Sequence, residues 1–159
     1  MSTEDAVLPR APIVEGAAPH ILIVRAPYYR EVVEGLTQGG ERILREAGAT
    51  FEALDVTGAF ELPQAIRLAV RGARHFDGYL ALGCVVKGET DHYDHICRET
   101  IAGLMQVSLQ FGLAMGQGVL TVHTINQAVA RSGRDGHNKG AEAAVAVLLQ
   151  INAARRLGA

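Results

Sequence analysis

Four short apolar runs recur along the chain, each followed by a longer stretch whose apolar residues return at helical spacing, and this alternation constrains the fold more than any other feature. The runs are His20 to Val24, Phe51 to Val56, Tyr79 to Val86 and Val119 to Val122. His20 to Val24 is nearly continuous in apolar residues, the pattern of a strand buried on both faces of a parallel sheet, and Tyr79 to Val86 is the strongest of the four. Between them, Val32, Val33, Leu36, Ile43, Leu44 and Ala47 form one helical stripe interrupted by Gly39 and Gly40 and closed by Gly48. A second helix carries Pro63 in its first turn, with Ile66, Val70 and Ala73 facing inward. A third begins near His92 or Tyr93, has Cys97, Ile101, Leu104 and Met105 on one face, and ends by Gly116. Two more follow, around Ile125 to Ser132 and Lys139 to Leu157, separated by a glycine-rich turn at 133–136.

Strand and helix in alternation require crossover connections, which are right-handed, so the expected fold is α/β: a four-stranded, mostly parallel sheet with helices on both faces, a three-layer α/β/α sandwich. At 159 residues one core suffices. Residues 1–19 show neither periodicity and read as a flexible N-terminal tail, leaving 20–159 as a single domain. In such folds ligands bind beyond the carboxyl ends of the strands, which singles out Ala26 to Tyr29, Thr57 to Glu61, Lys87 to His92 and the segment after Val122.

Composition narrows the partners. A formal net charge of −2 offers no basic surplus for nucleic acid. The longest apolar run, near Tyr79 to Val86, is far short of the roughly 20 residues of a membrane-crossing helix, so no membrane partner is expected. Cys84 and Cys97 stand thirteen positions apart without a CxxC-type pair, which argues against a disulfide framework or structural zinc and fits a reducing cytoplasm.

Lys87-Gly88-Glu89-Thr90 lies between a buried strand and a helix start, where a glycine lets backbone approach a ligand and amide groups lack intrahelical partners; such a turn suits phosphate, or equally a helix cap beside a solvated lysine. Neither GxxxxGK[ST] nor GxGxxG occurs, which argues against NTP hydrolysis and NAD chemistry. His92 follows within one turn and is the candidate acid/base. Asp91, Asp94 and His95 around it make a looser HxxH metal pattern with no second ligand cluster. Glu61 can accept hydrogen bonds from a polyol or cap the next helix, and Tyr28 and Tyr29 can stack on a planar heterocycle or cover the core edge. Arg131 and Lys139 are candidate partners for a phosphate and a carbonyl oxygen, or solvated helix charges.

Four stretches taken together, Gly58-Ala59-Phe60-Glu61-Leu62-Pro63, Gly83 to Asp94, Gly118-Val119-Leu120-Thr121 and Asn138-Lys139-Gly140, resemble the 6,7-dimethyl-8-ribityllumazine synthase family in order and spacing, from about His20 to Ala154. The resemblance implies a flavodoxin-like fold and a transferase of riboflavin biosynthesis. Such an enzyme condenses 5-amino-6-(D-ribitylamino)uracil with 3,4-dihydroxy-2-butanone 4-phosphate, needs no cofactor and no metal, and releases phosphate and water.

It further implies that His92 transfers protons; that Tyr28 stacks on the pyrimidine; that Ala59, Phe60 and Glu61 meet the ribityl chain; that Cys84, Val85 and Val86 offer backbone to the ring; that Lys139 lies near the pyrimidine; and that Gly88, Glu89, Thr90 and Arg131 hold the phosphate. Gln117 stands where many members carry an aromatic from a neighbouring subunit, and is taken as a hydrogen-bonding replacement. By the same resemblance the partner is a second copy of the chain, in a homo-oligomer: a pentamer with sites between subunits, with the uninterrupted turn at 133–137 leaning toward a shell of pentamers. The apolar residues off the main stripe of the third helix supply an inter-subunit face, and riboflavin synthase is a functional associate. A flavin- or lumazine-binding protein without turnover is the alternative, against which intact His92, Arg131 and Lys139 speak.

Overall fold

The structure is a computed structural model that describes residues 8–133 and 137–159. Strands β1 (His20–Ala26), β2 (Thr50–Asp55), β3 (Gly78–Val86) and β4 (Met115–Val122) pair in parallel in the order β2-β1-β3-β4. Ile23 of β1 stands between Ala53 of β2 and Leu80 of β3. Helices α1 (Arg30–Glu46), α2 (Leu62–Arg71), α3 (His92–Phe111), α4 (Ile125–Ser132) and α5 (Lys139–Leu157) alternate with the strands, and a short 3-10 turn, Ala59–Glu61, leads into α2. The three-layer sandwich expected from the alternation, and the flavodoxin-like fold that the resemblance implies, are therefore observed, with an all-parallel sheet among the described residues.

Side-chain alternation along each strand divides the core in two. Leu80, Leu82 and Cys84 of β3 join Ile21 and Ile23 beneath α1, α4 and α5, in contact with Leu36, Ile43, Leu44, Val147 and Leu148. Tyr79 and Ala81 point the other way with Leu22 and Val24, beneath Leu62 and Ile66 of α2 and Leu104 and Val107 of α3. Both faces of β1 and β3 are thus covered, which is why these runs are apolar without alternation.

Two helix ends and one helix face depart from the expectations. Helix α3 stops at Phe111 rather than by Gly116, because Gly112 takes the left-handed conformation (φ 62°) that caps a helix end, and Gly116 lies inside β4. Helix α2 stops at Arg71, so Ala73 lies beyond it and is exposed rather than inward. The buried stripe of α3 is Thr100, Leu104 and Val107; Ile101, Met105 and Leu109 face outward, 37%, 59% and 75% exposed.

Helices α1 and α5 approach closely through Gly140, where a Cβ would overlap the backbone carbonyl of Leu36. Asn138, 5% exposed, organises this junction. Its Oδ1 accepts from the amides of Gly140 (2.8 Å) and Ala141 (3.0 Å), capping α5, while Nδ2 donates to the carbonyls of Gly35, Ser132 and Gly133 at 2.8, 2.9 and 3.1 Å. From Leu8 the N-terminal segment carries no helix or strand, and it runs against α5: Asn152 accepts from the Glu15 amide (3.0 Å) and donates to the Ile13 carbonyl (2.8 Å), and Glu15 pairs with Arg156. The tail's first seven residues, and most of the 133–137 turn on which the shell expectation rested, lie outside the described residues.

Candidate active site

Strand order reverses between β1 and β3: the chain passes from β1 outward to β2, then returns to build β3 and β4 on the other side. Loops at such a switch point splay apart and leave a crevice beyond the strand ends. The crevice is a cleft of about 680 Å³ lined by residues from all three neighbouring strand ends. Tyr28 and Tyr29 come from the turn after β1; Thr57, Gly58, Ala59, Phe60 and Glu61 from the loop after β2; Cys84, Val85 and Val86 from the end of β3; His92 and Ile96 from the first turn of α3.

Eight residues singled out from sequence therefore converge: Tyr28, Ala59, Phe60, Glu61, Cys84, Val85, Val86 and His92. Tyr28 is 76% exposed at the rim and meets Tyr29 edge to face, ring centroids 5.2 Å apart. Phe60 and Glu61, from the loop after β2, are exposed as well. Cys84 is buried in the floor, and burial pushes its thiol from 9.0 up to about 11. It is a neutral wall at physiological pH, not a nucleophile. Tyr29, Thr57 and Gly58 lie in the loops that the strand ends had singled out, although the resemblance gave them no role; Ile96 was missed, and was detectable as the residue one helical turn after His92.

The turn after β3 is open. Residues Lys87 to His92 are exposed, the Lys87 amide donates to the Val122 carbonyl (2.9 Å), and Asp91, at the N-cap of α3, makes no side-chain cap. A Cβ at Gly88 would meet nothing within 4 Å, so the backbone is accessible to a ligand there. His95 is turned to Arg98, ring Nδ1 to guanidinium 3.0 Å, and no group of three or more His, Cys, Asp or Glu side chains among the described residues is placed to hold a metal.

Gln117, Arg131 and Lys139 are elsewhere. They share a separate hollow of about 230 Å³ with Gly118 to Val122, on β4, an edge strand of the sheet. Lys139 Nζ is paired with Glu142 (2.6 Å), Arg131 donates to the Gln127 carbonyl (2.9 Å), and Gln117 Nε2 to the Val119 carbonyl (3.2 Å). Within one chain Arg131 does not line the cleft that holds His92.

Comparison with known proteins agrees with this geometry. The chain is 41% identical over 144 residues to the 6,7-dimethyl-8-ribityllumazine synthase of Agrobacterium fabrum, covering 88% of this chain and 97% of that protein. It is 42% identical over 144 residues to 6,7-dimethyl-8-ribityllumazine synthase 1 of Rhizobium meliloti (88% and 94% covered) and 39% identical over 140 residues to the enzyme of Bartonella tribocorum (88% and 93%). With the family profile matching residues 18–155, which span the whole sheet and the cleft at its carboxyl end, the chain belongs to the 6,7-dimethyl-8-ribityllumazine synthase family.

Proposed function

We propose that this member of the family condenses 5-amino-6-(D-ribitylamino)uracil with 3,4-dihydroxy-2-butanone 4-phosphate at the cleft between β1 and β3, with His92 as the proton-transfer group. The observation that carries the assignment is the convergence, at one switch point, of an aromatic, a carboxylate, strand-end backbone and a histidine from four separated segments. Tyr28 offers a face for the pyrimidine, Ala59, Phe60 and Glu61 meet the ribityl chain with the carboxylate accepting from its hydroxyls, and the ends of Cys84 to Val86 present backbone groups to the ring edge. Gly88, Glu89 and Thr90 receive the phosphate on amides at the start of α3.

The chemistry asks little more of the protein. The substrate amine attacks the ketone carbon and water leaves as the imine forms, so no enzyme nucleophile is required, consistent with the neutral thiol of Cys84. Elimination then breaks the C–O bond to phosphate, and ring closure expels water. These steps need protons taken and returned at one point and two substrates held in register, which a histidine at the rim of a preformed cleft supplies.

Two observations support a site completed by a second copy. The hollow with Gln117, Arg131 and Lys139 opens on the unpaired edge of β4, and α3 presents the exposed apolar stripe Ile101, Met105 and Leu109. Packing that stripe against a neighbour would bring the neighbour's Arg131 to the phosphate and its Lys139 and Gln117 to the pyrimidine, within the pentameric arrangement inferred from the family. No helix among the described residues is long and apolar enough to cross a membrane. A cytoplasmic location fits the two unpaired cysteines, and the product, a ribityllumazine, suits functional association with riboflavin synthase.

The decisive experiment mixes the purified protein with both substrates and follows lumazine fluorescence together with phosphate release. Stoichiometric appearance of both is expected. No stimulation over the uncatalysed reaction would overturn the assignment, and tight lumazine binding without turnover would leave a carrier instead.

A further inference from the structure

The turn that is to hold phosphate has little of its own to hold it in place. All six residues from Lys87 to His92 are exposed, and the helix that follows has no side-chain cap. Tyr93 is the first residue beyond β3 that is partly buried, and several contacts meet on its ring. Lys87, at the entrance of the turn, places its ammonium 5.6 Å from the ring centroid and 4.0 Å from the Asp94 carboxylate. His123, just past the end of β4, meets the ring edge-on at 6.2 Å and 75°. The phenol lies near Cys97 of its own helix and Thr121 of β4. The entrance of the turn, the helix that follows it and the neighbouring strand are thus clasped by one side chain.

We infer that Tyr93 is the positioning residue of the phosphate turn: by tying Lys87, the first turn of α3 and β4 together, it sets the direction in which the Gly88 to Thr90 amides face, and so governs use of the phosphorylated ketone. The inference rests on the phosphate assignment proposed above. Its physical basis is that exposed backbone donors bind an anion well only when held in one geometry, since ordering a loose turn on binding subtracts directly from affinity.

A role in fold stability alone would affect both substrates and the melting temperature alike. A positioning role separates them. In Tyr93→Leu, which keeps apolar bulk but loses the ring face and the hydroxyl, the KM for the butanone phosphate is expected to rise about tenfold while the KM for the ribitylaminouracil stays within about twofold. Inorganic phosphate, tested as a competitive inhibitor and by direct titration, should weaken in parallel. Tyr93→Phe keeps the contacts to Lys87 and His123 and loses only the phenol contacts, so it should show a smaller rise of about threefold; it carries the test if the leucine variant does not fold. An unchanged ketone KM, or equal rises for both substrates, overturns the inference. A wild-type protein without turnover overturns the function assigned above instead, and the phosphate titration then decides Tyr93 by itself.

Discussion

Replacing Asn138 by alanine tests the junction that places Lys139 and Arg131, and its cost can be worked from the contacts. The side chain caps α5 through two amides at 2.8 and 3.0 Å, and loss of such a cap costs about 1 kcal/mol. Its two N–H donors serve three carbonyls, of which those of Ser132 and Gly133 lie at the C-terminal end of α4 and lose that partner on substitution. At about 1 kcal/mol for each of the two donors, the total is about 3 kcal/mol. For a chain of this size that corresponds to a fall in Tm of about 6–12 °C. Urea or thermal unfolding at fixed protein concentration measures it.

Asn138→Asp discriminates the donors from the cap. Aspartate keeps the acceptor for Gly140 and Ala141 but, when ionised, turns a negative oxygen toward three carbonyls. The folded pKa of the introduced carboxyl is therefore raised above its unfolded value of about 3.9. The sign follows: the native state binds the proton more tightly, so the penalty is smallest below about pH 4 and grows as pH rises through the folded pKa. At neutral pH the aspartate variant should be no more stable than the alanine variant, and nearer wild type in acid. An aspartate variant as stable as wild type at pH 7, or an alanine variant costing under about 0.5 kcal/mol, would refute the reasoning.

Three other outcomes are expected. His92→Ala should lower kcat about 100-fold or more and Arg131→Ala should chiefly raise the KM for the butanone phosphate; mixing the two impaired proteins after dissociation and reassembly should restore activity at low butanone phosphate, because the intact His92 of one copy meets the intact Arg131 of the other, and no recovery would place both in one chain. Gly140→Ala should destabilise by about 2–3 kcal/mol in unfolding experiments, since the new methyl meets the Leu36 carbonyl and α1 must part from α5. Cys84, held neutral up to about pH 11 in the fold while an unfolded thiol ionises near 9.0, makes wild-type stability fall with rising pH across that window; Cys84→Ala should flatten the fall by about 1–2 kcal/mol in alkaline denaturation and leave turnover at neutral pH largely intact.

Much of this protein was determined by the sequence alone, because the relevant information is local. A strand buried on both faces is a continuous apolar run, as in Tyr79 to Val86, and an amphipathic helix repeats with the helical period, as in Val32 to Leu44. The parts of the candidate site at strand ends, Tyr28, Ala59 to Glu61, Cys84 to Val86 and His92, were legible for the same reason: in a parallel sheet every strand ends on the same side, so the loops that follow must gather.

Only the tertiary structure decided what depends on neighbours distant in the chain. The outward turn of Ile101, Met105 and Leu109 was not separable from the inward stripe, because periodicity shows that a helix has an apolar face but not which of two such faces meets the sheet. Gly112 rather than Gly116 ends α3 because Gly116 is already part of the β3–β4 ladder. Arg131 and Lys139 lie apart from the cleft because β4 takes the edge of the sheet, a consequence of strand order that no local pattern carries. Asn138 read as one residue of a motif; its five hydrogen bonds to α1, α4 and α5 exist only once three helices, brought together by burial of their apolar faces, leave a polar gap of its size.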